Sequence, residues 1–323
     1  MARSESTAPA SEGFGGREAL AQHAPAAAVA LDDLEAVAWR RVDADLLDLA
    51  AKVIASIHGI PPLPRPAESG PSPWADRDVT GWRDFPELGD RERGALAFAE
   101  QFSLDVARVD DALRQTLFGA LGADAAEFAQ AVYVADVIAR ARAVLDRLFG
   151  PGPAPAATTA TRALAPDASI WNGIEELIRV VPGLQGLDAV TTELVRLRGA
   201  RQHHCRVCQS VRSRSAMVAG ATDETFDAVD GYETSDLPDA TKAALAWTDA
   251  FIWTPGRISD EDVATLARHF DPAQQVELVL DLARNASNKF AVSMAADAAN
   301  VTEGYEIYEV HPDGSIEYGL TAP

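Results

Sequence analysis

Cysteine is scarce: the chain has two in 323 residues. That excludes the disulfide framework of a small secreted domain, and a close pair reads instead as redox or metal chemistry. Positive charge is also in short supply, with 28 Lys and Arg against 49 Asp and Glu and a net charge of −21. Such a chain repels polyanions, so nucleic acid and anionic membrane surfaces are excluded as partners. No apolar run approaches the length of a transmembrane helix. The apolar stretch 24–31 is short and Ala-dominated, and the residues before it hold no basic cluster. No signal peptide is read there, and a cytoplasmic protein is expected.

What remains is mostly helical periodicity, broken by proline. Residues 1–30 are rich in Ala, Ser, Gly and Pro and are expected to form a disordered tail. From Leu31 to Ile60 the spacing predicts helix, anchored by Trp39, Leu46, Leu47 and Leu49. Prolines between Pro61 and Pro73 end it and predict a long loop. Helical spacing returns over 88–149. A Pro/Ala/Thr-rich segment, 151–166, reads as an interdomain linker. Helices resume from 167 to about 300, with Pro272 in a first turn and Ser259 with Asp262 as a capping box. The last segment, YEIYEVHPDGSIEYGL, alternates around a Pro-Asp-Gly turn and predicts a short β-hairpin within 301–323.

The chemistry concentrates in ELVRLRGARQHHCRVCQSVRSRSAMVAG, from Glu193 to Gly220. Asp188 is the expected N-cap of a helix running to about Gln202, with Val190, Leu194 and Leu197 as its apolar stripe. Glu193 falls on that stripe. A carboxylate there loses hydration and is driven towards its neutral form unless a cation pairs with it. A second helix is expected from Cys205 to Gly220. Both cysteines would open it, where free backbone N–H groups favour a thiolate. Arg212 would lie one turn beyond Cys208 on the same face. His203 and His204 sit directly before the pair. A metal site on His203, His204, Cys205 and Cys208 is the lesser reading, because ligands so adjacent do not easily surround one tetrahedral ion. No metal and no cofactor are expected. A thioredoxin-type reading lacks the strand that should precede the motif.

A Glu followed twelve positions later by a C-x-x-C at a helix start resembles the alkylhydroperoxidase D-like, or carboxymuconolactone decarboxylase, superfamily. The resemblance rests on ELVRLRGARQHHCRVC. It implies an all-α fold and a cofactor-independent thiol peroxidase or disulfide oxidoreductase. By that resemblance Cys208 attacks a peroxide and becomes a sulfenic acid. Cys205 closes the disulfide, and Glu193 moves protons. The implied partners are a small peroxide or organic substrate and a thiol or protein reductant, in a homo-oligomer. The family pattern places histidines where this chain has Val207 and Arg212. Arg212 can stabilise a thiolate but does not shuttle protons near neutral pH. His204 or His203 is then the expected substitute.

An internal match adds to the architecture. LGDRERGALAFAEQF from Leu88 aligns with LPDATKAALAWTDAF from Leu237. The fold expected is therefore two fused helical units, a degenerate one over 31–150 without cysteines and a second over 167–300 with them. Two other functions compete. One is a decarboxylase-like lyase or isomerase working through Glu193 and a histidine by acid–base chemistry. The other is a non-catalytic helical scaffold. Asn285, Asn288 and Lys289 are polar residues in an apolar helical stretch, placed to satisfy local backbone or to face the site.

Overall fold

A computed structural model describes residues 15–153 and 157–323 of the chain. The architecture is helical, with one small sheet near the C-terminus. Local sequence sets the helix starts. Asp43 accepts from the N–H groups of Asp45 and Leu46 and opens the helix Ala44–His58. Asp188 does the same for Ala189–Gln202 through Val190 and Thr191. Ser259 and Asp262 cap each other at the start of Asp260–His269. Asp271 caps Pro272–Asn285, with the proline in the first position, where its missing N–H costs nothing. Each cap satisfies donors that the helix itself leaves open.

The tail expected over 1–30 does not hold in its described part. Residues 1–14 lie outside the described residues, but Gly16–His23 and Pro25–Arg41 are helices. They are ordered by packing: Leu20, Leu31 and Leu34 are fully buried. The two expected units share one hydrophobic core, which runs from Ala19 to Ala286. The helix Pro25–Arg41 packs on Ile170–Val180 from the other half. Gly173 permits that approach, since a Cβ there would stand 2.8 Å from Leu34 Cδ1. The two aligned segments are both 15-residue helices, Asp90–Leu104 and Asp239–Trp253. That likeness concerns one helix pair and does not establish a duplicated unit.

The hairpin forms as expected. Strand β2 (Glu306–Val310) pairs antiparallel with β3 (Ile316–Leu320). It also pairs parallel with a short strand β1 (Val211–Ser213). β1 corrects the sequence reading of one helix from Cys205 to Gly220. The chain instead makes a single turn, Arg206–Gln209, then β1, then a new helix Arg214–Val218. Glu306 N–H takes the Ser210 carbonyl at 2.8 Å, and Ser213 caps the next helix through Ala216 N–H. A distant strand thus supplies the bonds that a continuous helix would have made itself.

Candidate functional site: the C-x-x-C turn and its cavities

The C-x-x-C turn begins where the Glu193 helix ends. His204 adopts φ 53°, and this left-handed residue turns the chain so that Cys205 N–H reaches Ala200 O at 3.0 Å. Cys205 and Cys208 are joined in a disulfide, with Cα atoms 5.3 Å apart. The two sulfurs are not equivalent. Cys205 is fully buried and its Sγ accepts from Cys208 N–H at 3.3 Å. Cys208 is half-buried, lines an open cavity, and its Sγ accepts from Asn288 Nδ2 at 3.2 Å. Asp297 braces the turn from the far end of the chain. Its carboxylate takes Arg206 N–H at 2.9 Å and the Arg206 guanidinium at 2.6 Å.

Glu193 is buried, as its place on the apolar stripe implied, and the pairing cation is Arg196. The guanidinium donates to both carboxylate oxygens at 2.7 Å. It also holds the carbonyls of Cys208 at 2.7 Å and Val211 at 3.1 Å. Glu193 further accepts from Tyr308 OH at 2.9 Å and Ser213 N–H at 3.1 Å. Burial opposes the charge on Arg196, but the Glu193 carboxylate outweighs it and holds the guanidinium above its usual range. Burial, with Glu193 beside it, raises the Tyr308 phenol. Glu193 therefore locks the helix, the C-x-x-C turn and the hairpin together. Among the described residues it makes no hydrogen bond to either sulfur.

Arg212 does not face Cys208, which corrects its expected placement. It lies on β1, donates to the carbonyls of Gln209 and Val211, and stacks over Phe226 at 5.3 Å and Tyr305 at 5.1 Å. The strand moved it off the helical face that the spacing assumed. His204 is exposed, and its side chain makes no hydrogen bond among the described residues. His203 is the buried histidine, 6% exposed, with Nδ1 unpartnered.

His203 borders a charged cluster that sequence reasoning missed. Asp136, fully buried, accepts from Arg140 Nε at 2.8 Å, from Ser103 Oγ at 2.9 Å and from Lys289 Nζ. His58 joins through Ser103 Oγ at 2.7 Å. Burial opposes the Asp136 charge, but Arg140, Lys289 and His58 reverse that and hold its carboxyl below the usual range. Burial pushes Lys289 down to about 8, against the pull of Asp136. Burial first and Lys289 second lower His203 to about 3, so its ring is neutral. A cavity of about 10 Å³ touches Arg140, His203, Asn285 and Lys289. That is room for about one water, which would reach the orphan Nδ1.

Two larger cavities adjoin at the C-x-x-C. One, of about 230 Å³, is walled by Cys208, Asn288, Arg284 and the hairpin residues Tyr308 and Tyr318. The other, of about 250 Å³, shares Arg196, Arg284, Asn285 and Tyr308 with it and adds Glu277 and Asp281. Asp281 makes no side-chain hydrogen bond among the described residues. Burial pushes its carboxyl up to about 7, with Arg284 pulling the other way. Asn288 and Lys289 are two of the polar residues in an apolar helical stretch for which the sequence left open a place at the site, and Asn288 reaches Cys208 Sγ. Asp281 carries the same signal, a lone acid in the apolar run LVLDLA. No helix among the described residues is long and apolar enough to cross a membrane.

Known proteins place this arrangement. The sequence model of the carboxymuconolactone decarboxylase family matches residues 174–250, which contain Glu193, both cysteines and Arg212. An uncharacterized protein of Mycobacterium tuberculosis, found in two strains, is 40% identical over 229 residues, spanning 69% of this chain and 79% of the relative. Among solved structures, the debrominase Bmp8, a cysteine-to-alanine variant in complex with 2,3,4-tribromopyrrole, matches with a TM-score of 0.35 and 18% identity. That match covers 41% of this chain and 71% of the other, and is too loose to carry an argument. The family pattern spans the Glu193 helix and the cysteine turn, and the relative extends the likeness across most of the chain: this protein belongs to the carboxymuconolactone decarboxylase family.

Proposed function

We propose that the protein is a thiol–disulfide oxidoreductase whose reducible substrate is a peroxide. The observation that carries this is the asymmetry of the pair. Cys208 opens on a cavity under the Asn288 amide, while Cys205 waits buried behind it. In the reduced protein the Cys208 thiolate attacks one peroxide oxygen. The O–O bond breaks, the departing alkoxide takes a proton and leaves as an alcohol, and Cys208 becomes a sulfenic acid. Cys205, as thiolate, attacks that sulfur and forms the disulfide, and the released hydroxide leaves as water after protonation. A dithiol reductant reopens the bond by exchange and is itself oxidised. Asn288 Nδ2 supports negative charge at Cys208 Sγ. Arg196 fixes the turn by its backbone, and Glu193 acts through Arg196.

Stopped-flow mixing of reduced protein with hydrogen peroxide and with cumene hydroperoxide tests this. The expected result is saturable or second-order oxidation faster than free cysteine at the same pH and abolished in Cys208→Ser. Cys205→Ser should halt at a sulfenic acid that dimedone traps. A rate equal to that of free thiol and unchanged in Cys208→Ser refutes the reading. A second reading rests on Asp281, a carboxyl on the wall of the adjoining cavity that burial pushes up to about 7. Acid–base chemistry on a small organic substrate would run there. Turnover that survives the double Cys→Ser variant and is lost in Asp281→Asn selects it.

A further inference from the structure

Charge is divided unevenly around the reactive sulfur. The chain carries an excess of 21 negative charges, yet the 230 Å³ cavity at Cys208 is lined by two arginines and by no Asp or Glu. The acids Glu193, Glu277, Asp281 and Glu309 line the neighbouring cavity. Arg196 is neutralised by Glu193. Arg284 has no such contact. It is half-buried, donates from Nε to Ile178 O at 3.2 Å and from Nη1 to Asn285 Oδ1 at 3.3 Å, and has no carboxylate in ion-pair contact among the described residues. Its Nη2 donates to nothing there. Asp281 lies one helical turn away; burial pushes its carboxyl up to about 7, with Arg284 pulling the other way, and it makes no ion pair with the guanidinium among the described residues. A half-buried guanidinium in this position has both the charge and the planar fork that a carboxylate accepts in a bidentate pair.

The rest of the wall is mostly apolar, with Asn285, Ser287 and Asn288 as uncharged polar side chains beside the sulfur. Ile178, Val207, Val211, Val310 and Ile316 surround the space, with the Tyr318 ring on the hairpin side. The volume lies below the range of about 300–1,000 Å³ typical of drug-sized ligands. The cavity therefore suits a compact apolar body carrying one anionic group. We propose that it binds a small organic acid, with the carboxylate on Arg284 and the apolar body against the hairpin wall. Resting on the redox reading above, the peroxide reduced at Cys208 is then one that carries a carboxylate.

Calorimetric titration of the oxidised protein with benzoate, and with benzamide as the uncharged match, tests this without requiring turnover. Benzoate should bind with one-to-one stoichiometry and about tenfold more tightly than benzamide, the order of effect expected of one charge-assisted pair. Added salt should shrink the preference, and Arg284→Gln should erase it. Equal affinities for the two probes on the wild-type protein overturn the proposal whatever the variant does. So does a preference that persists in a folded Arg284→Gln. If benzoate binds as expected but no peroxide is consumed, the anion site stands and the peroxidase reading falls.

Discussion

Replacing Asp281 by Asn should change stability in a way that depends on pH. The carboxyl is 6% exposed and unbonded, and burial pushes its pKa up to about 7. In the unfolded chain an Asp ionises near pH 3.9. Between these values the folded protein keeps a proton that the unfolded chain has released. Raising the pH through this window therefore favours unfolding. The stabilisation of the protonated folded state is complete below about pH 4 and is lost progressively up to about pH 7. Each pH unit is worth about 1.4 kcal/mol, so the group costs the wild-type protein about 4 kcal/mol at pH 8. Asparagine has no such titration. Its amide brings its own pH-independent cost, of about 1–3 kcal/mol if a donor stays unbonded. The diagnostic quantity is therefore the slope. Urea unfolding of both proteins, followed by circular dichroism from pH 5 to pH 8, should show the variant gaining about 3 kcal/mol on the wild type across that range. Subtracting the two curves removes the repulsion common to a chain of net charge −21. A difference flat to within about 0.5 kcal/mol would mean that Asp281 is ionised throughout. The acid–base reading would then lose its proton-bearing group.

Three further outcomes follow from the packing. In the reduced protein, iodoacetamide with mass-spectrometric mapping should modify Cys208 well before Cys205, because Cys208 lines an open cavity while Cys205 is fully buried; equal rates would contradict the proposed order of attack. Asp136→Ala should cost about 3–5 kcal/mol, since it leaves Arg140 and Lys289 buried without their counter-charge. The Asp136 carboxyl is held below its usual range, so its contribution is present at neutral pH and lost as pH falls below about 4, and the variant should lack that acid-side loss. Gly256→Ala should destabilise by about 1–3 kcal/mol in thermal or urea unfolding, because a Cβ there meets the backbone carbonyls of His58 and Gly59; an unchanged midpoint would show that this contact relaxes freely.

Much of the site could be read from the chain because its signals are local. Asp188 announced a helix start, and the stripe of Val190, Leu194 and Leu197 placed Glu193 on a buried face. The spacing to Cys205 carried the family. The hairpin was legible from its Pro-Asp-Gly turn and alternation. The errors share one cause. Helical spacing assigns i and i+4 to one face, so Arg212 was set beside Cys208. β1 removes that assumption, and β1 exists only because Glu306 pairs with the Ser210–Val211 segment from far along the chain. Nothing local in QSVRS reports such a partner, although Ser213 ahead of a new helical run was a cap signal that went unread.

The same long-range pairing decides which arginine serves the cysteines. β1 carries Arg212 towards Phe226 and Tyr305, and the cation bonded to the Cys208 carbonyl is Arg196, the ion-pair partner of Glu193. That ion pair could not stand alone. Two charges buried together hold only when their remaining hydrogen bonds are met. Here Tyr308 of β2 and Ser213 of β1 meet those of Glu193, and the Cys208 and Val211 carbonyls meet those of Arg196. The C-terminal hairpin is thus part of the cysteine site twice over. Its inner tyrosine completes the ion pair that fixes the cysteine turn, and its outer residues wall the cavity at Cys208. Losing the hairpin would expose the sulfur and leave the Glu193 pair unsatisfied together, so in this chain the shielding of Cys208 and the stability of the turn that carries it rest on the same two strands.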